Sequence, residues 1–315
     1  MKNIVFMGTP DFATGTLRAL LASRYCVQAV FTQPDKPKGR GGRVQMPPVK
    51  EIALEAGIPV YQPKRIRDPE NLEILKNYQP YAIVVVAFGQ IIPEEILTLP
   101  PWGCINVHAS LLPSYRGAAP IQWAVINGEK VSGVTTMRMD TGLDTGDMIM
   151  KEQVALGRDE TGGSLFEKLS RMGADLLIRT LEALENGTAR FEPQPEESPT
   201  PYAGMLKKEM GLIDWSRPAR SIECLVRGLN PWPSAYTRYR GKMLKIWAAQ
   251  VEEDGLSREE EKPGTILEAE GKTLKIRTGD GVLRIKELQL EGKKRMETDA
   301  FLRGYRMTPG EILGV

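Results

Sequence analysis

Two spacings of apolar residues alternate along the first half of the chain. Asn3 to Met7 is an apolar run of strand length, ended by Gly8-Thr9-Pro10. Phe12, Leu17, Leu20 and Leu21 recur at helical intervals up to Ser23, and Cys26 to Thr32 reads as a second strand. Strand, helix, strand predicts a parallel sheet with right-handed crossovers. The pattern repeats with a helix over Val49 to Ala56, a short strand at Val60-Tyr61 and a helix over Pro69 to Tyr78. Tyr81 to Phe88 is unbroken in its apolar character, as a central strand buried on both faces should be. Cys104 to His108 alternates instead, so Asn106 and His108 project from one face of a short strand. A helix over Ala119 to Asn127 is closed by Gly128. Val131 to Met139 and Met148 to Ala155 read as a hairpin around an acidic turn. Leu165, Leu169, Ala174, Leu177, Leu181 and Leu184 then mark a long amphipathic helix, Thr161 to Leu184, stopped at Asn186-Gly187.

The composition shifts after that helix. Arg190 to Tyr202 carries Pro193, Pro195, Pro199 and Pro201 among acidic residues, and it reads as an extended linker. A helix over Pro218 to Leu229 follows, then short strands near 235–240, 243–251, 264–269, 272–278 and 281–290 with glycine turns between them. The predicted fold is α/β: a Rossmann-like parallel sheet in residues 1–189, a linker in 190–205 and a small OB-like β-barrel in 206–315.

At 315 residues the chain is long enough for both domains, and its 41% hydrophobic and 26% charged content is ordinary for a globular protein. Lys and Arg total 42 against 40 Asp and Glu, which argues against a tail-driven nucleic-acid binder but leaves room for a local basic face. Residues 206–315 hold 21 basic and 17 acidic side chains, so this part is the positive one. Cys26, Cys104 and Cys224 form no CxxC, and a single histidine excludes a His-rich metal centre. Free thiols, a first segment that reads as a strand, and no apolar run near the roughly 18 residues of a membrane span predict a cytoplasmic protein. A monomer is expected.

That single histidine, His108, stands two residues after Asn106 where the strand stops at Ser110-Leu111-Leu112-Pro113. The carboxyl end of a parallel strand is where an open α/β sheet places its chemistry. The pattern alone allows a core histidine as readily as a proton carrier. Asp144, in the acidic turn, is the carboxylate available to orient the ring. Asp140, Asp144 and Asp147 lack the glutamate of a calcium loop, and there is no G-x-S-x-G elbow for a serine hydrolase. The Gly8 turn lacks the glycines of a dinucleotide site. Gln33 to Pro48 is rich in glycine and proline, which predicts no regular element. It carries Lys36, Lys38, Arg40 and Arg43, and is either a solvated loop or an arm that meets phosphates.

Five stretches resemble the folate-dependent formyltransferases: Thr32 to Pro37, the Gly39-Arg40-Gly41 loop, Asn106 to Pro113, Arg116 to Gln122, and Met139 to Asp147. The resemblance runs nearly the whole length, and the basic loop with the extra C-terminal domain places it with those members that act on methionyl-tRNA. Other members act on a sugar-nucleotide amine or a purine precursor. The resemblance implies catalytic roles for Asn106, His108 and Asp144, and folate contacts at Phe88, Gly89, Gln90, Ile91, Ser110, Leu111, Leu112 and Pro113. Phe88, Ile91 and Leu112 are the apolar residues expected to wall a pterin. It further implies 10-formyltetrahydrofolate as formyl donor, methionyl-initiator tRNA as acceptor with Lys38, Arg40 and Arg43 facing it, and no metal.

Overall fold

The computed structural model describes residues 2–38, 43–252 and 261–314, with Lys38 and Arg43 as backbone only. Arg40 lies outside the described residues. The chain forms two compact units. The first takes Met1–Pro120, Val131–Ala155 and Phe166–Ala203; the second takes Ile121–Lys130, Leu156–Leu165 and Gly204–Val315. Residues 190–203, which composition reads as part of a linker, thus group with the first unit.

In chain order the elements are β1 (Asn3–Gly8), α1 (Asp11–Leu21), β2 (Cys26–Phe31), β3 (Lys36–Lys38), β4 (Arg43–Gln45), α2 (Pro48–Glu55), β5 (Val60–Tyr61) and α3 (Pro69–Tyr78). There follow β6 (Ala82–Val86), α4 (Glu94–Leu97), β7 (Cys104–His108), α5 (Pro120–Ile126), β8 (Val131–Arg138), β9 (Asp147–Ala155) and α6 (Gly162–Glu185). The remainder is α7 (Ala219–Gly228), β10 (Ala235–Tyr239), β11 (Lys242–Glu252), β12 (Ile266–Glu270), β13 (Thr273–Arg277), β14 (Val282–Leu290), β15 (Met296–Glu297) and α8 (Thr298–Gly304).

The sheet of the first unit runs β5-β2-β1-β6-β7-β8-β9. From β5 to β7 every pairing is parallel, and the strand order reverses direction at β1 and β6. β8 and β9 are antiparallel additions on the β7 side, where a short acidic turn replaces a crossover helix. One face of the sheet buries Val5, Met7, Ile83, Val85 and Cys104 under Leu75 of α3 and Ile96 and Leu97 of α4. On the other face α6 reaches Val107 of β7. A Cβ on Gly173 would lie 2.8 Å from the Val107 Cγ1, so glycine is what permits that approach. The alternation of β7 therefore turns Val107 to α6 while Asn106 and His108 face the opposite side.

The expectation of no regular element in 33–48 gives way to a short hairpin. β3 and β4 pair over three residues, with Lys36 opposite Gln45 and Lys38 opposite Arg43. So short an edge pairing needs few amide donors and tolerates Pro37. Its root is fixed, because the Lys50 ammonium donates to Asp35 at 2.8 Å and the Gln62 amide donates to both Asp35 and the Gln33 carbonyl.

The second unit carries an antiparallel sheet in the order β10-β11-β14-β13-β12, with β15 added to β14. Leu244, Ile246, Leu274, Ile276, Leu283, Ile285 and Leu288 point into its core, joined by Ile222 and Val226 of α7 and Phe301 of α8. The sheet is open between β10 and β12, and residues 310–314 cross that gap. The Ile266 amide donates to the Glu311 carbonyl and the Leu313 amide to that of Gly264, while the Gly314 amide donates to Arg238 of β10. The sheet is therefore not closed into the expected OB-like barrel, and residues 310–314 bridge its two edge strands.

Candidate active site

Strand alternation places Asn106 and His108 side by side, and both are buried. The His108 Nε2 lies 3.0 Å from the Tyr115 carbonyl oxygen. A carbonyl only accepts, so this nitrogen carries a proton and donates it. Nδ1 is the ring atom left over, and it faces Asp144 Oδ1 at 3.7 Å. The same oxygen accepts from Asn106 Nδ2 at 3.4 Å, while Oδ2 accepts from the Gly117 amide at 2.9 Å. The two contacts to Oδ1 are longer than ordinary hydrogen bonds. The three side chains converge without closing on one another, which is how an acid/base cluster stands before a substrate tightens it.

The backbone around this cluster is unusual. Tyr115 (φ 59°) and Asp144 (φ 56°), the two partners of His108, both sit in the left-handed region, as does Ala87 (φ 47°) just past β6. Each such residue costs about 1–2 kcal/mol where it is not glycine, so the surroundings must hold it. Gly117 (φ 129°) between them is under a second constraint, since a Cβ there would lie 2.6 Å from the Ala203 carbonyl oxygen.

The acidic turn is braced from within and from outside. Asp140 accepts from the Gly142 amide at 3.0 Å and from the Thr145 hydroxyl at 2.8 Å, and Asp147 pairs with Arg138 at 2.7 Å. From outside comes the proline-rich segment. It begins as a bridge in which Glu192 and Met148 exchange amide bonds of 2.9 Å. Gln194 Nε2 then donates to the Asp144 carbonyl at 2.9 Å and to that of Gly146 at 2.8 Å. Its Oε1 accepts from Arg116 Nε at 3.1 Å, and the buried guanidinium also donates to the carbonyls of Pro195 and Glu196. Ser198 donates to the Pro113 carbonyl, and the Thr200 hydroxyl accepts from the Tyr115 amide at 2.6 Å. Arg116, Gln194 and Thr200 were not marked by sequence reasoning as site residues. Arg116 opened one of the stretches that carry the resemblance, while the one signal at Gln194 and Thr200 was polar side chains interrupting a proline run.

The residues expected to meet folate divide into two groups. Phe88 and Leu112 are buried in the core, so what they offer outward is backbone. The Phe88 carbonyl accepts from Thr9 at 3.2 Å and Gln33 at 3.1 Å, and the Leu112 amide donates to the Thr135 hydroxyl. The Gln90 amide is engaged with the Ile66 amide and the Pro63 carbonyl. Ser110 donates to the Ser114 carbonyl at 2.6 Å and ties the turn before Pro113. Ile91 is 79% exposed. Gly89 (φ 79°) shapes the turn that carries it, and Leu111 is half-buried over Gly133. No group of described residues could hold a metal ion. Burial pushes the Cys104 thiol up to about 12, so it is no nucleophile at neutral pH.

Two family models match the chain: formyl transferase over residues 1–181 and the formyl transferase C-terminal domain over 205–306. A methionyl-tRNA formyltransferase of Agathobacter rectalis is 54% identical over 309 residues, which cover 98% of each chain. One from Lachnospira eligens is 53% identical and covers 99% of each. Among solved structures, the sugar 3N-formyl transferase WlaRD shares the fold at 19% identity and a TM-score of 0.67, covering 93% of this chain and 99% of its own. HypX from Aquifex aeolicus, solved in complex with tetrahydrofolic acid, shares it at a TM-score of 0.59. The match covers 95% of this chain but only 46% of HypX. With both domain models matched and half the residues shared over the full length of such relatives, the chain belongs to the formyl transferase family.

Proposed function

We propose that the chain transfers the formyl group of 10-formyltetrahydrofolate to the α-amino group of methionyl-initiator tRNA, supplying formylmethionyl-tRNA for translation initiation. The observation that carries the chemistry is the convergence of Asn106 Nδ2 and His108 Nδ1 on one carboxylate oxygen of Asp144. Both substrates are carried in from outside, so the protein has to position them, stabilise charge and move one proton. Asn106 and a protonated His108 donate to the formyl oxygen as it becomes anionic under attack by the amine. One such donor is worth about 3 kcal/mol. Asp144 holds the imidazole and accepts the proton that the amine gives up, for return to the departing folate nitrogen. The donor set fits the formyl donor: two side-chain N–H groups beside a carboxylate, with no thiolate in competition. In this reading the turns Phe88–Ile91 and Ser110–Pro113 offer backbone groups to the folate, with Ile91 laid over its ring system. In the same reading residues 206–315 and the basic residues Lys38, Arg40 and Arg43 face the tRNA.

The acceptor is the part of the reading that relatives and not geometry support, because sugar formyl transferases share the fold. Labelled formyl transfer from 10-formyltetrahydrofolate is to be compared for methionyl-tRNA, free methionine and an amino-sugar nucleotide. Label in methionyl-tRNA with little in the others is expected. Label in the sugar alone overturns the acceptor, and label in none overturns the reaction.

A further inference from the structure

His108 touches two groups whose backbones are both strained, and one strap holds both. We propose that Gln194 and Thr200 are positioning residues, Gln194 holding Asp144 and Thr200 holding Tyr115 so that each presents its oxygen to a different nitrogen of His108. The two hydrogens of the Gln194 amide are committed to the carbonyls of Asp144 and Gly146, one on either side of Thr145. These bonds fix the peptide plane that follows Asp144 Cα, on a residue whose φ is 56°. The other end of the amide is oriented by Arg116, whose guanidinium is also bound to the backbone at Pro195 and Glu196. Gln194 therefore cannot turn over without breaking the Arg116 contact. Thr200 does the corresponding work on the other side, since its hydroxyl takes the Tyr115 amide while the Tyr115 carbonyl takes the His108 Nε2 proton. Pro195 and Pro199 restrict the backbone between these two anchors.

The device differs from plain packing in what it moves. Loss of Gln194 releases Asp144 from Nδ1, and loss of Thr200 releases Tyr115 from Nε2. Because His108 is the only histidine of the chain, each nitrogen can be read in a ¹⁵N spectrum of the imidazole without substrate. The variants are Gln194→Met, Thr200→Val and Asp144→Ala, with a thermal melt to establish that each is folded. In Gln194→Met the Nδ1 resonance is expected to move, and in Thr200→Val the Nε2 resonance. The kinetic half of the test rests on the proposed formyl transfer. There kcat is expected to fall about tenfold or more with KM for both substrates nearly unchanged. The double variant Gln194→Met/Asp144→Ala is expected to be no slower than Asp144→Ala alone, because a residue acting through Asp144 has nothing left to act on. An imidazole spectrum unchanged in both folded strap variants overturns the proposal, and so does a double variant whose loss is the product of the two single losses. Displaced resonances in a protein that formylates no tRNA would leave the strap standing and overturn the reaction instead.

Discussion

His108 has two ring nitrogens, and the fold commits one of them to a backbone carbonyl. For the proposed reaction a single atom, Nδ1, is then left to serve both Asp144 and a substrate oxygen. On the proposed reaction His108→Ala and Asp144→Ala should each lower kcat about a hundredfold or more while the protein stays folded. Turnover near wild type at saturating substrates, measured by single-turnover formylation, removes the residue from the reaction. Asn106→Asp should be impaired as severely, because a carboxylate would then face both Asp144 and the developing oxyanion. Here the sequence was informative in a particular way. Period-2 alternation put Asn106 and His108 on one face with no further knowledge. Asp144 is 36 residues further on, in a turn whose proximity to the ring no spacing can show, and only the family pattern joined it to them. Gln194 and Thr200 were illegible for the same reason made worse. Their partners lie 50 and 85 residues away, and their neighbours are the prolines that mark a linker.

At the scale of elements, the apolar patterns located the main strands and helices but not β3, β4, α4, β15 or α8. Burial on both faces of a parallel sheet leaves long apolar runs such as that at 81–88, and short elements leave none. The hairpin reading already paired β8 with β9. What the patterns could not give was the antiparallel pairing of β8 with β7, and this edge is what carries the Asp144 turn back to β7. Likewise the segment at 310–314, with no strand pattern, bridges the two edge strands of the second sheet through backbone bonds. The packing of α6 on β7 tests how tightly element and site are linked. Val107 stands between Asn106 and His108 and meets Gly173 across the sheet. Gly173→Leu inserts a side chain where even a Cβ lies 2.8 Å from Val107, and overpacking of this kind costs about 1–3 kcal/mol. Chemical denaturation should show that loss, and activity should fall with it as β7 shifts. Unchanged stability would mean that α6 can move away from the sheet without penalty.

At the scale of the whole molecule, charge is the property that bears on a polyanionic acceptor. The chain is nearly neutral, with 42 basic and 40 acidic side chains, yet 206–315 holds an excess of four positive charges. The sequence at 36–43 adds a second basic locus, beside an Asp35 held by Lys50 and Gln62. On the proposed reaction these loci meet phosphates, and engagement should weaken linearly in log salt as counterions are released. Arg40, between Gly39 and Gly41 in the sequence, is the sharpest probe, since guanidinium groups bind phosphates and base edges in forked geometry. Arg40→Leu should weaken productive tRNA engagement by about 1–3 kcal/mol, leave folate binding unchanged and reduce the salt slope by roughly one. The measurement is formylation rate against tRNA concentration at several salt concentrations, with folate binding read separately by fluorescence. A uniform loss with an unchanged slope would make Arg40 a reader of bases and not of phosphate. Superimposable curves for variant and wild type would make the hairpin a solvated loop, and would shift the acceptor toward a small amine that needs no basic arm.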